Sequence, residues 1–161
     1  MIIYLAGPVR SAGMVNSNGW RQALAKAVGQ YGVVCFNPAA SWNPAANLVI
    51  TSERQEQRIK LVNDAALLAC NLVVVAYQPV WSEASRGTDA EISLARDANK
   101  PMVVYLPSED AYESHQAAFN WWKHTRFPKG SADPSVRFGL DEISALIISL
   151  AAVSALPEVR A

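Results

Sequence analysis

LVVVAYQPVWSEASRGTDAEISLARDANKPMVVYL, residues 72–106, is the stretch whose reading decides the fold. It opens on an unbroken apolar run from Leu72 to Tyr77, rich in β-branched side chains. Such a run marks a strand buried on both faces, because a strand with one wet face alternates polar and apolar residues. A second run, Met102 to Leu106, closes the stretch behind Pro101. Between them, residues 88–100 read as a helix. Two buried strands joined through a helix form a parallel pair, since a crossover of this length returns the chain to the same end of the sheet.

The pattern repeats outward. Ile2 to Ala6 is a short apolar run stopped by Gly7-Pro8. Residues 17–30 carry Trp20, Leu24, Ala27 and Val28 along one helical face, with Ser17 or Asn18 as the cap. Val33 to Phe36 is a further strand, ended by Asn37-Pro38. A loop with two prolines leads into a long helix, 51–70, whose inner face is predicted to hold Ile59, Val62, Ala66 and Ala69. After Leu106 the periodicity fades. Residues 107–135 hold Pro107, Pro128, Pro134, two tryptophans and both histidines, and read as a loop or lid insertion with one helix near 111–124. "SVRFG" (135–139) is predicted as a short fifth strand, and 140–153 as a closing amphipathic helix. The expected fold class is α/β. Residues 1–161 form a single-domain open parallel sheet of about five strands flanked by helices, in flavodoxin-like or Rossmann-like order.

Composition narrows the function. Of 161 residues, 51% are apolar and 17% charged, which suits a soluble globular chain able to bury a full core. Fourteen basic side chains balance fourteen acidic ones. A nucleic-acid polymer as partner calls for a basic excess, so none is expected, and the balance leaves room for a small anionic ligand. Cys35 and Cys70 stand in no metal or redox motif and read as buried reduced thiols. The N-terminal apolar run is too short for a signal peptide, and no run approaches a membrane span. The expected location is cytoplasmic, with no membrane partner.

Open α/β sheets bind ligands at the carboxyl ends of their strands, near a topological switch point. The segment after the first strand, "GPVRSAG" (7–13), is neither a dinucleotide fingerprint nor a P-loop, so no nucleotide cofactor is expected. Gly7 makes the turn, and Arg10 can hold a phosphate or carboxylate, or simply be solvated. Thr88-x-x-Glu91 matches a capping box. Glu91 would also lie in the first turn of the helix after the central strand, facing the crevice, where the helix N-terminus favours an anion. An ionised carboxylate is what attack on an anomeric carbon requires. Asp64, near the end of the helix before the central strand, is either a site acid or a solvated partner of Lys60. Tyr4 is a core aromatic or a site residue.

"YLAGPVR", "VNDAALLACNLVVVAY" and "SRGTDAEISLARDANKPMVV", in this order and spacing, resemble the nucleoside 2-deoxyribosyltransferase superfamily, over residues 1 to about 106. The motifs are most similar to the branch of 2'-deoxynucleoside 5'-phosphate N-hydrolases and cytidylate hydrolases. The resemblance implies Glu91 as nucleophile, held by Tyr4, with Asp64 as general acid/base or sugar ligand. Gly87 falls in the Gly-x-x-x-Glu turn, and Ser85 and Arg10 match phosphate-binding residues. Asn71 stands where many relatives carry aspartate, and residues 107–135 match no family motif. The implied activity is cleavage of the N-glycosidic bond of a nucleoside 5'-monophosphate or nucleoside. A covalent glycosyl-Glu intermediate would pass its sugar to water or a second base. No metal and no cofactor are implied. A homodimer or higher homo-oligomer is, with neighbouring subunits completing the site. Two other classes stay open. One is a non-catalytic nucleotide-binding module of the same fold. The other is an assembly protein using "FNWWKHTRF" (119–127), a stretch that suits an oligomer contact or base stacking equally.

Overall fold

A computed structural model describes residues 1–8, 14–42, 53–77, 86–128 and 133–155. Its elements are β1 (Ile2–Ala6), α1 (Met14–Gly29), β2 (Val34–Phe36), a 3-10 turn (Pro38–Trp42), α2 (Glu53–Ala69), β3 (Leu72–Ala76), α3 (Arg86–Asp97), β4 (Met102–Leu106), α4 (Glu109–Glu113), α5 (Gln116–Arg126), β5 (Ser135–Phe138) and α6 (Gly139–Ser154). All strand pairs are parallel, and the order is β2-β1-β3-β4-β5. This is the flavodoxin-like order. The chain steps outward from β1 to β2 and then crosses back to β3, so a crevice opens between the carboxyl ends of β1 and β3.

The period-2 alternation of the strands sorts the core into two layers. Ile3, Leu5, Val74, Ala76, Val103 and Tyr105 face Trp20, Leu24 and Val28 of α1 and Ile143 and Ile147 of α6. Tyr4, Ala6, Val73, Val75, Val104 and Leu106 face the other way, towards Leu67 of α2, Ile92 and Ala95 of α3, and Phe119 and Trp122 of α5. Helices on both faces explain why β1, β3 and β4 read as continuous apolar runs.

Three expectations are corrected. The inner face of α2 is narrower than its apolar content suggests. Leu67 is its one buried residue, Val62 is 56% exposed and Ala69 is exposed, while Ile59 and Ala66 are half-buried. Its surplus apolar side chains, Leu61, Val62 and Leu68, face outward.

Helix α1 starts at Met14, so Asn18 lies inside it rather than capping it. The Asn18 Oδ1 accepts instead from Asn37 Nδ2 at 3.1 Å.

Residues 107–135 carry, over their described part, two helices instead of the one expected near 111–124. These are α4 and α5, and they lead into β5. Phe119, Trp122 and Phe127 are buried there, and Tyr77 sits among them, 5.0 Å from the Phe119 ring and 4.9 Å from that of Trp122. Pro107 and Pro128 bracket the helices, where a missing N–H costs little, instead of breaking them.

The two adjacent tryptophans therefore differ in role. Trp122 is fully buried and Trp121 is 59% exposed. In chemical denaturation, Trp122→Ala should lose about 3–5 kcal/mol and Trp121→Ala no more than about 1 kcal/mol. Equal losses would mean that α5 does not dock as described.

Candidate functional site

The crevice between β1 and β3 is where the structure concentrates buried charge. Tyr4 is the third residue of β1, paired in register with Val73 of β3, and fully buried. Its ring stacks on Phe36 at 5.5 Å. Its hydroxyl donates to Glu91 Oε1 at 2.6 Å, joining residues 87 positions apart in the chain. Glu91 stands one turn into α3, and its second oxygen, Oε2, is buried with no hydrogen-bond partner among the described residues.

A carboxylate removed from water resists ionisation. Burial pushes Glu91 from its ordinary 4.5 up to about 7. The Tyr4 hydroxyl, the Arg21 charge and the Gly7 backbone N–H pull it down, while the Asp64 charge pushes it further up. Burial, then the Glu91 charge and hydrogen bond, drive the Tyr4 phenol well above its own ordinary range, so it remains a donor.

Arg21 is the site residue that the sequence reading missed. It lies on α1 with no exposed surface. Its Nε donates to the Leu5 carbonyl at 3.0 Å and its Nη2 to the Gly7 carbonyl at 2.8 Å. Its guanidinium also lies 4.8 Å from the centre of the Trp20 ring. Burial lowers its pKa to about 10, which leaves it a cation at neutral pH. It thus ties down the end of β1 and sets a positive charge against Glu91. Gly7 makes room for this. A Cβ there would stand 3.2 Å from both Ala76 Cβ and Arg21 Nη2.

Asp64 fits both of its readings. It pairs with Lys60 on the surface of α2, and its half-buried carboxylate also bears electrostatically on Tyr4 and Glu91. The capping-box reading fails. Thr88 is the third residue of α3, not the residue before it, and the Glu91 carboxylate turns to β1. Gly87 is exposed, and a Cβ at that position would meet nothing, so no steric need for glycine shows there. Asn71 serves the fold, its Oδ1 accepting from the Ile2 N–H at 2.7 Å. Arg10 and Ser85 lie outside the described residues. His115 and His124 are both exposed. Among the described residues, no three His, Cys, Asp or Glu side chains gather as metal ligands would.

Tyr4 and Glu91 are thus joined at the switch point of a parallel sheet, with the Asp64 charge acting on both from α2. A family model described as nucleoside 2-deoxyribosyltransferase matches residues 3–129. The chain belongs to the nucleoside 2-deoxyribosyltransferase family. The match covers most of the chain and extends beyond Leu106 through α4 and α5. No curated protein matches it. Two solved structures are similar. One is a CMP N-glycosidase, BcmB, from Clostridium botulinum, with 16% identity over 93% of this chain and 99% of that one, at a TM-score of 0.48. The other is a conserved protein from Enterococcus faecalis V583, with 20% identity over 93% of this chain and 87% of that one, at a TM-score of 0.48. Among the described residues of this family member, no helix is long and apolar enough to cross a membrane.

The buried carboxyl makes stability depend on pH with a definite sign. The folded chain keeps the Glu91 proton up to about 7, whereas an ordinary carboxyl releases it at 4.5. Stability should therefore fall as pH rises through that window and level off above it. Glu91→Gln removes the titration. Its melting temperature should match the parent's near pH 4 and exceed it increasingly up to pH 7–8, by thermal melts across pH. A pH-independent difference would rule out the buried, protonatable carboxyl.

Proposed function

We propose that this chain cleaves the N-glycosidic bond of a nucleoside 5'-monophosphate, or of the free nucleoside, with Glu91 as nucleophile. The observation that carries this reading is the Glu91 carboxyl itself. One oxygen is fixed by Tyr4 and the other has no partner among the described residues, at the carboxyl edge of the sheet in a nucleoside 2-deoxyribosyltransferase family member.

In this mechanism Glu91 Oε2 attacks C1' of the sugar. The C1'–O bond forms as the C1'–N bond breaks through an oxocarbenium-like state. The electron pair leaves with the base, which takes a proton from Asp64 or from water held by it. Such positioned proton transfer contributes about 10²–10⁴-fold. Water or a second base then attacks C1' from the opened face. It releases Glu91 and returns the proton to Asp64, with net retention. Anionic Glu91 also favours the positive charge that develops on the sugar. Arg10 and Ser85 are assigned to the 5'-phosphate, which favours a nucleotide over a free nucleoside. Exposed Leu61, Val62 and Leu68 on α2, around Asp64, support assembly as a homodimer or larger homo-oligomer.

The test is a panel of ribo- and deoxyribonucleosides and their 5'-monophosphates, with free base followed by chromatography, with and without an acceptor base. Release is expected from at least one member and should vanish in Glu91→Ala. Full activity in Glu91→Ala would end the nucleophile assignment. Intact ligand bound with no release from any member would favour a binding module instead.

Arg10→Ala separates the phosphate role. The loss of kcat/KM should be about tenfold or more greater for monophosphates than for nucleosides, since a charge-assisted pair contributes roughly 1.5–3 kcal/mol. An equal loss for both would remove Arg10 from the phosphate site.

A further inference from the structure

Helix α5 is fastened to α3 at both ends of the latter. Arg126, in the last turn of α5, reaches Asp89, in the first turn of α3, through two parallel bonds. These run from Nε to Oδ1 at 2.7 Å and from Nη2 to Oδ2 at 2.9 Å. Arg96, in the last turn of α3, donates from Nη1 to the Arg126 carbonyl at 3.2 Å. The Arg126 side chain is 12% exposed, and its guanidinium lies 5.8 Å from the centre of the buried Trp122 ring. The pair is sheltered on its arginine side, the Asp89 side chain being 39% exposed, and the guanidinium fork fixes orientation as well as distance.

Asp89 stands two residues before Glu91. Within the described residues, the Glu91 carboxyl has one side-chain hydrogen bond, from Tyr4. Its placement against a substrate therefore depends on where the backbone of α3 stands. Helix first turns fray unless tied down, and a misplacement of about 1 Å can cost a hundredfold in rate.

We propose that Arg126 is a positioning residue: through its fork on Asp89 it fixes the first turns of α3 and so the carboxyl of Glu91. The kinetic side of this proposal rests on the Glu91 nucleophile reading, whereas the mechanical side does not. Helix α5 thereby gains a role in setting the site.

The test uses Arg126→Lys, Asp89→Asn and the double variant of the full chain, with two readouts. The first is amide hydrogen exchange. Arg126→Lys, which keeps the charge but loses the fork, should raise exchange over 88–92 about tenfold while β1 and α1 keep their protection. The second is turnover on whichever nucleotide the panel identifies. Here kcat should fall by about ten- to a hundredfold with KM changed little, and the double variant should be no worse than either single one. Unchanged exchange over 88–92 would overturn the proposal. So would a uniform rise in exchange with a lower Tm and an unchanged kcat, because that marks a merely structural pair. If Asp89→Asn fails to fold, Arg126→Lys alone decides between these outcomes. If the parent chain releases no base from any nucleotide, the glycosidase reading fails by itself, and the exchange profile still decides whether the clamp exists.

Discussion

The hydrogen bond from Tyr4 to Glu91 is the contact around which the crevice is arranged. It sets a carboxyl where water cannot solvate it fully, and every neighbour then matters to its charge. An ion left alone in such a place would neutralise. Here it is partly compensated, by a phenol that stays protonated, by the Arg21 guanidinium and by the Gly7 N–H. Asp64 works the other way. The balance leaves Glu91 titrating near neutrality, neither a locked carboxylate nor a permanent acid. Gly7 and Arg21 are linked, because a Cβ at Gly7 would crowd the guanidinium that bonds the Gly7 carbonyl.

The topology makes that contact possible. Tyr4 and Glu91 are far apart in sequence, yet β1 and β3 are neighbours and α3 leaves from the carboxyl end of β3. Alternation along β1 divides the work between the two faces of the sheet. Tyr4 points into the layer of α2 and α3, while Ile3 and Leu5 point into that of α1. Arg21 comes from the α1 side and bonds backbone carbonyls where β1 ends, so its charge reaches a carboxyl supplied from the other face. Only the edge of the sheet lets both layers meet.

The strands were legible because burial on both faces leaves an unbroken apolar run, and the parallel sheet followed from the helices between them. What went astray did so for local reasons. The apolar residues of α2 outnumber those its contact with the sheet can cover, so periodicity alone put Val62 inward. In 107–135 one helix was expected where two stand, because prolines and charges blurred the break between them, although Phe119 and Trp122 stand at helical spacing and Pro107 and Pro128 lie at the boundaries. The Thr88–Glu91 spacing imitates a cap because capping boxes and site carboxylates both favour helix starts. Glu91 stood out by its place after the central strand, whereas Asp64 and Tyr4 gained site roles only through the family resemblance. Arg21 was not visible at all. An arginine on a helix reads as solvated, and nothing local says that its partners are carbonyls of a strand that precedes it.

A carboxyl poised near neutrality bears on the proposed chemistry in two opposing ways. Its burial leaves part of the population protonated and unable to attack at neutral pH. The same burial makes the ionised fraction poorly solvated and more basic, as a nucleophile should be. Charge developing on the sugar resolves the conflict. An oxocarbenium-like centre beside Glu91 is a cation, and a nearby cation lowers a carboxyl's pKa. The site would then favour the anion most strongly in the transition state, when the sugar carries its charge. Stabilisation that appears with the reaction, rather than before it, raises turnover instead of merely tightening binding.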